Sequence, residues 1–252
     1  MLELLFIFII SLIANLFSAF SGGGAGLIQL PVLLFLGLPF GVALATHKVA
    51  SVALGLGATL RHLKGNNLQK KIILLLFFSG IPGVIIGANL ILHIPEAIAK
   101  LALGVLTISL GIYSILKPNL GQQLNLKKQN ILEFLTGGSV LFLIGMLNGS
   151  LTSGTGLFVT LWLIRWFGLD YQTAVAYTLV MVGLFWNGAG AITLGILGNI
   201  YWIWLIPLLL GSLIGGYLGA HLSIKKGNRW IKRSFELVTI IIGIKLISQY
   251  FM

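Results

Sequence analysis

From Leu4 to His47 the chain has no Asp, Glu, Lys or Arg, a run of 44 residues. A soluble domain cannot keep so long a stretch wetted, and the natural solvent for it is lipid. Three more charge-free runs follow, Ile72 to Pro95, Phe134 to Ile164 and Tyr171 to Ile224. A helix needs about 20 apolar residues to cross the hydrocarbon core. The two longest runs must therefore turn inside the bilayer or at its edge. They are solidly apolar rather than alternating, which speaks against a β-barrel. Only 8% of the chain is charged, against about 25% in soluble domains. The fold class expected is an all-α, polytopic integral membrane protein of the cell membrane. The first run has no basic segment before it and runs straight into glycines, so it does not read as a cleaved leader.

The net charge of +11 could suggest a nucleic-acid partner. Basic residues in the short loops of a multi-pass protein, where they fix orientation, account for it better. The expected partners are thus the lipid bilayer and a small substrate, with no nucleic acid; a homo-oligomer is left open. The chain contains no cysteine, which removes disulfides, iron–sulfur clusters and thiol catalysis. Nothing in it asks for a cofactor or a metal.

Internal repetition sets the organisation. Gly24-Ala25-Gly26 is echoed by Gly154-Thr155-Gly156, and Gly55-Leu56-Gly57-Ala58 by Gly188-Ala189-Gly190-Ala191. Gly83, Gly87 and Ala88 return as Gly215, Gly219 and Ala220, and Thr107-Ile108 with Gly111 returns as Thr239-Ile240 with Gly243. The offsets all lie between 130 and 133 residues. The expected organisation is a first repeat over 1–117, a cytoplasmic linker over 118–129 and a second repeat over 130–252. Each repeat reads as five apolar segments, near 4–20, 27–38, 42–60, 71–92 and 97–116, then 130–148, 157–168, 172–194, 201–222 and 230–250. The second segment of each is too short to span, so it either re-enters or crosses only with help.

The basic loops swap places between the halves. The loop after the third segment holds Arg61, Lys64, Lys70 and Lys71, and its counterpart holds none. The loop after the fourth segment has Lys100 alone, whereas its counterpart has Lys225, Lys226, Arg229, Lys232 and Arg233. Five crossings per half would invert the second repeat and put both rich loops inside. With Lys117, Lys127, Lys128 and Arg165, that places 13 of the 16 basic residues in the cytoplasm. Inverted repeats of this kind are the architecture of alternating-access carriers.

Glycine-interrupted segments at matching places in two such halves point to a midplane binding site. The first break contributes Ser21, Gly22, Gly23, Gly24 and Gly26; the second contributes Asn148, Thr152, Ser153, Gly154, Thr155 and Gly156. Each precedes a short apolar helix whose first N–H groups lack intrahelical partners. Together with the helix dipole these suit an anion. Tight helix packing is the alternative use of such glycines. Gln29, one turn beyond the first break, and Thr46, His47 and Lys48, early in the third segment, are further candidates. So are Thr178 and Asn187 in the second half. Lys48 either faces a cavity as a counter-charge or snorkels to the interface. Trp162, Trp166, Trp202 and Trp204 are expected at the interfaces.

These motifs resemble the TauE/SafE family, also called the sulfite exporter or TSUP family. The resemblance rests on SGGGAGLIQLP, on Gly37-Leu38-Pro39 followed by Ala45-Thr46-His47-Lys48, and on the GxxxGA segment. It covers essentially the whole chain. It implies a polytopic carrier of sulfur-containing anions such as sulfite or sulfonates. The second half departs from the family pattern, with Thr-Ser-Gly-Thr-Gly where a run of three glycines is usual. His47 stands where Asp, Asn or Ser is usual.

Two rival classes remain, a passive anion channel and an intramembrane enzyme. The five acids Glu3, Glu96, Glu133, Asp170 and Glu236 sit at or near segment ends, which leaves no acidic metal cluster for phosphate chemistry and disfavours the enzyme. The same lack of a buried carboxylate favours export of an anion. The membrane potential pushes it out of the cell with about 2.3 kcal/mol per charge per 100 mV.

Overall fold

The computed structural model describes residues 2–62, 68–90, 96–152 and 154–251. These are helices and turns, with no strand among the described residues. The first half contains α1 (Leu2–Ser21), α2 (Gly26–Phe35), α3 (Phe40–His62), α4 (Lys70–Leu90) and α5 (Glu96–Ile115). The second contains α6 (Ile131–Ser150), α7 (Thr155–Trp162), α8 (Tyr171–Thr178), α9 (Asn187–Leu197), α10 (Leu205–Lys226) and α11 (Asn228–Phe251). A π-helical stretch, Leu163–Phe167, extends α7, and another, Leu179–Trp186, joins α8 to α9. Among the described residues six helical stretches are long and apolar enough to cross a membrane: α1, α3, α4, α6, Tyr171–Leu197 and Trp202–Lys226. The protein is a multi-pass integral membrane protein. At ten residues, α2 is about 15 Å long, half the thickness of the hydrocarbon core.

Glycine determines which helices meet. α1 lies on α10 and α4 lies on α6, in each case with backbone against backbone. A Cβ at Gly215 would stand 2.4 Å from the Leu12 carbonyl oxygen, and one at Gly219 would stand 2.2 Å from that of Leu16. Across the other pair, Gly83 would meet the Phe142 oxygen at 2.3 Å and Gly87 the Met146 oxygen at 2.0 Å. The two crossings use the same positions, shifted by the offsets seen in the sequence. α5 lies on α11 in the same manner, with Gly104 and Gly243 each facing the other's carbonyl oxygen. Lipid tails give helices no hydrophobic reason to associate, so close packing of small residues supplies the contact.

The π-helical join has a sequence cause. Thr46 and Thr178 are 132 residues apart, but Gly55 and Gly188 are 133 apart. The second half thus carries one additional residue in this helix. A wider i→i+5 turn absorbs one residue without breaking the helix, and Leu179–Trp186 is wound that way.

Several of the basic residues gather at one end. Lys127 Nζ donates to the Arg165 carbonyl at 2.8 Å, and Lys71, Lys127 and Lys128 border one surface cavity. Arg61 Nε donates to His221 Nδ1 at 3.0 Å, tying the last turn of α3 to α10. Lys64, within the loop that follows, lies outside the described residues. The segment 118–129 is docked on the turn after α7. Asn125 N–H donates to Gly168 O at 2.9 Å, Lys127 N–H to Phe167 O at 3.1 Å and Tyr171 N–H to Gly121 O at 2.8 Å. Gly168 is required there, because a Cβ would lie 1.9 Å from Asn125 O.

Only Trp202 of the four tryptophans has the exposure of an interface anchor; Trp204 is buried. Trp162 and Trp166 stack at 4.8 Å and donate to Gly137 O and Glu133 O, fastening α7 to α6.

The repeat partners Gly55 and Gly188 are expected to answer differently to alanine. A Cβ at Gly55 would be 2.3 Å from Gly183 C, whereas at Gly188 it meets nothing within 4 Å. Gly55→Ala should therefore cost about 1–3 kcal/mol. Gly188→Ala should be neutral or gain up to ~1 kcal/mol from helix propensity. Thermal unfolding in detergent measures both.

Candidate functional site

The first break is built from residues that only glycine can replace. Gly22, Gly23 and Gly24 have φ of +91°, +149° and +107°, values closed to most side chains. Gly22 and Gly23 N–H groups both donate to Ser18 O, and Ser21 Oγ donates to Phe17 O and Gly23 O. α1 ends on these bonds, and α2 starts at once with no side-chain cap. In the second break Thr152 has φ +53° and Gly154 +77°. Thr155 Oγ1 donates to Thr152 O at 3.0 Å, and Leu157 N–H closes onto Gly154 O at 2.9 Å. Among the described residues the N–H groups of Gly24, Ala25, Thr155 and Gly156 have no protein acceptor. They stand at the N-termini of α2 and α7.

The two breaks touch. A Cβ at Gly23 would lie 2.7 Å from Leu157 N and 2.9 Å from Gly156 Cα. Thr160 Oγ1, one turn into α7, donates to Gly22 O at 2.9 Å and meets Thr178 Oγ1 at 2.9 Å. Beside this contact lies a cavity of about 40 Å³, room for roughly three waters or a small ion. Gly23 to Gly26 and Ser18 form one wall, and Asn148, Thr152, Thr155 and Gly156 form another. His47, Ser51 and Leu54 of α3 line it too, as do Thr178 and Asn187 with the π-helical residues Leu179, Val182 and Gly183.

Lys48 stands behind this lining. It is fully buried, at 0% exposure, about 12 Å along the axis of α3 from its first residue, so it does not snorkel. Its Nζ donates to Asn148 Oδ1 at 2.6 Å, Asn148 O at 2.7 Å and Asn187 Oδ1 at 3.0 Å. An ammonium group has three protons and no acceptor capacity, and all three are used. The stem fits because Gly190 leaves space: a Cβ there would be 3.2 Å from Lys48 Cδ and Cε. A group that can only donate fixes which way its partners face. Both amide oxygens must point at Lys48, so both NH₂ groups point away. Asn148 Nδ2 donates to Thr155 Oγ1 at 2.8 Å. Asn187 lines the cavity, and its NH₂ has no protein acceptor among the described residues. Among those residues the single ion pair is Lys232–Glu236, so no carboxylate balances Lys48.

A second chain of bonds fixes His47. Ser11 Oγ donates to Leu208 O at 2.8 Å, so it can only accept from Gln29 Nε2 at 2.9 Å. Gln29 Oε1 is then the atom that meets His47 Nδ1 at 2.6 Å. Nδ1 must carry the proton in that contact, and Nε2 faces Ser51 Oγ at 3.2 Å.

Of the residues singled out from sequence, Gly23, Gly24, Gly26, His47, Asn148, Thr152, Thr155, Gly156, Thr178 and Asn187 meet at the cavity. Ser21, Gly22, Gln29, Lys48 and Gly154 support it from behind. Thr46 turns elsewhere, since its Oγ1 donates to Val42 O and accepts from Tyr201 N–H. Ser153 lies outside the described residues. Ser18, Ala25, Leu54, Leu179, Val182 and Gly183 were not foreseen as candidates. Ser18 had a signal in its place one helical turn before Gly22; the apolar ones had none.

Set against known proteins, residues 7–246 match the family described as "Sulfite exporter TauE/SafE". The chain belongs to that family. A "Probable membrane transporter protein" of Haemophilus influenzae is 29% identical over 242 residues, covering 96% of this chain and 93% of its own. The "Probable membrane transporter protein ORF9" of a Sinorhizobium species is 28% identical, with 98% and 93% covered. The "Probable membrane transporter protein YfcA" of Escherichia coli K12 is 26% identical, with 96% and 88% covered. The family and these relatives make this chain a membrane transporter.

Replacing Lys48 by Met would leave three buried acceptors without a donor, each worth about 1–3 kcal/mol. Asn187→Ala leaves one proton of the buried Lys48 ammonium without an acceptor, one unmet group against three. Lys48→Met is therefore expected to lower the unfolding midpoint in detergent distinctly more than Asn187→Ala.

Proposed function

We propose that the protein is a secondary carrier of small anions, sulfite or an organosulfur anion such as a sulfonate, and that it works as an exporter. The observation that carries this reading is a cavity bordered by donors that have no protein acceptor among the described residues. Two helix N-termini, the Asn187 NH₂ and the Ser18 hydroxyl offer protons to it, a cation stands behind it, and no carboxylate lines it. Free N–H groups at helix starts bind anions without further help. Their attraction is strong where little water screens it. The match to a family described as a sulfite exporter supports the substrate class and the direction. The membrane potential supplies the outward force on an anion.

We propose further that residues 1–117 and 130–252 are inverted repeats joined by a cytoplasmic linker. The swapped basic loops support this, as does the gathering of Arg61, Lys71, Lys127, Lys128 and Arg165 at one end. Two conformations of near-equal energy, open to opposite sides, follow from such an arrangement.

Purified protein in liposomes tests the carrier. Sulfite or methanesulfonate flux should saturate and show counterflow, and Asn187→Leu should reduce it at least tenfold. Conductance without counterflow would indicate a channel, and absence of flux for both anions would refute the reading.

Topology is checked by adding single cysteines to a chain that has none. Cysteines at Lys128 and Lys225 should react from the cytoplasmic side, and one at Asn199 from outside. Opposite-side labelling of positions 128 and 225 would end the inverted scheme.

A further inference from the structure

At the opposite end of α11 from its C-terminus lies a second concavity, of about 370 Å³. It is bordered by Asn119, Gln122, Arg229, Lys232, Arg233 and Glu236. Its deep side is already neutral. Lys232 is ion-paired with Glu236, and its Nζ also donates to Ser114 Oγ at 3.0 Å. Ser114 Oγ in turn donates to Glu236 Oε1 at 2.9 Å. That leaves Arg229 and Arg233, four residues apart and so on one helical face. Both are exposed, and neither has a carboxylate partner among the described residues. They sit in the first turns of α11, where the helix dipole adds to their charge. Gln122 Nε2 is buried without any hydrogen-bond partner, a donor beside two unpaired cations.

The surroundings say where the missing anion comes from. Ile115 forms part of the cavity's rim, and Ile112 of α5 and Leu116 just after it are exposed beside it. On α11, Leu237, Ile241 and Ile244 continue the Arg233 face at helical spacing, all of them exposed apolar side chains. Trp230, half exposed, lies under Arg233 at 5.6 Å and under Lys226 at 5.6 Å, the position of an aromatic at a membrane surface. A charged hollow above a continuous apolar stripe matches a phosphate group carried on acyl chains.

We propose that this hollow binds the phosphate group of an anionic phospholipid, its acyl chains lying along the seam of α5 and α11. The site is separate from the central cavity, and its test does not depend on what the protein transports. In neutral detergent, phosphatidylglycerol should raise the unfolding midpoint where phosphatidylcholine does not. Native mass spectrometry should show it retained. Arg229→Gln with Arg233→Gln should weaken that binding about tenfold or more, whereas Lys128→Gln, on the same end but outside the hollow, should leave it unchanged. Arg229→Gln alone, at an exposed side chain without a partner, should weaken it several-fold and keeps the test usable should the double variant fail to fold. Equal effects of the two lipids would overturn the proposal, and so would unchanged phosphatidylglycerol binding in the arginine variants. Sodium phosphate giving the same shift as phosphatidylglycerol would overturn the lipid and leave a site for the free ion.

Discussion

A single ammonium group organises the centre of this protein. Lys48 reaches from α3 into the other half of the chain and ends on Asn148 of α6 and Asn187 of α9. Burying a cation without a carboxylate is costly unless every proton finds an acceptor. Here each does, and the geometry has a second effect. Because the lysine can only donate, it turns both amides so that their own donors face away from it. The cavity's polarity is thus imposed from one layer back, by a residue that does not line it.

The frame that holds this arrangement rests on close backbone packing. α1 on α10, α4 on α6 and α5 on α11 meet through glycines at which even a methyl group would overlap a carbonyl oxygen. In each pair one helix comes from each half, so neither half stands as a unit by itself. Between these pairs sit the short helices and their breaks, where irregular backbone is tolerated because protein surrounds it.

Much of this was readable beforehand. Gly24 with Gly26 and Gly154 with Gly156 announced themselves because four glycines in a charge-free run have no use as ordinary helix. Lys48 stood out as a charge inside an apolar segment. The direction in which it points was not readable, since facing a cavity and supporting one from behind ask for the same residue. Thr46 misled for a related reason. Its repeat partner Thr178 faces the cavity, yet Thr46 serves the Tyr201 N–H, because pseudo-symmetry in sequence does not bind each pair to one use. Leu179, Val182 and Gly183 reach the cavity through a π-helical winding whose trace in the sequence is one residue of offset. The docking of 118–129 on Gly168 depends on a contact between segments over 40 residues apart, and no local pattern encodes it.

The contact between the two breaks has a mechanical consequence. Gly23 and Gly156 leave no room for a side chain between them, and Thr160 pins Gly22 across the same gap. Pushing one hairpin toward the other meets a hard stop. Pulling it away strips a hydrogen bond in a place that water does not easily reach. The two hairpins therefore behave as one stiff bead rather than as two independent jaws. A motion that widens the cavity has to come from its other walls, formed by α3 and the π-wound helix.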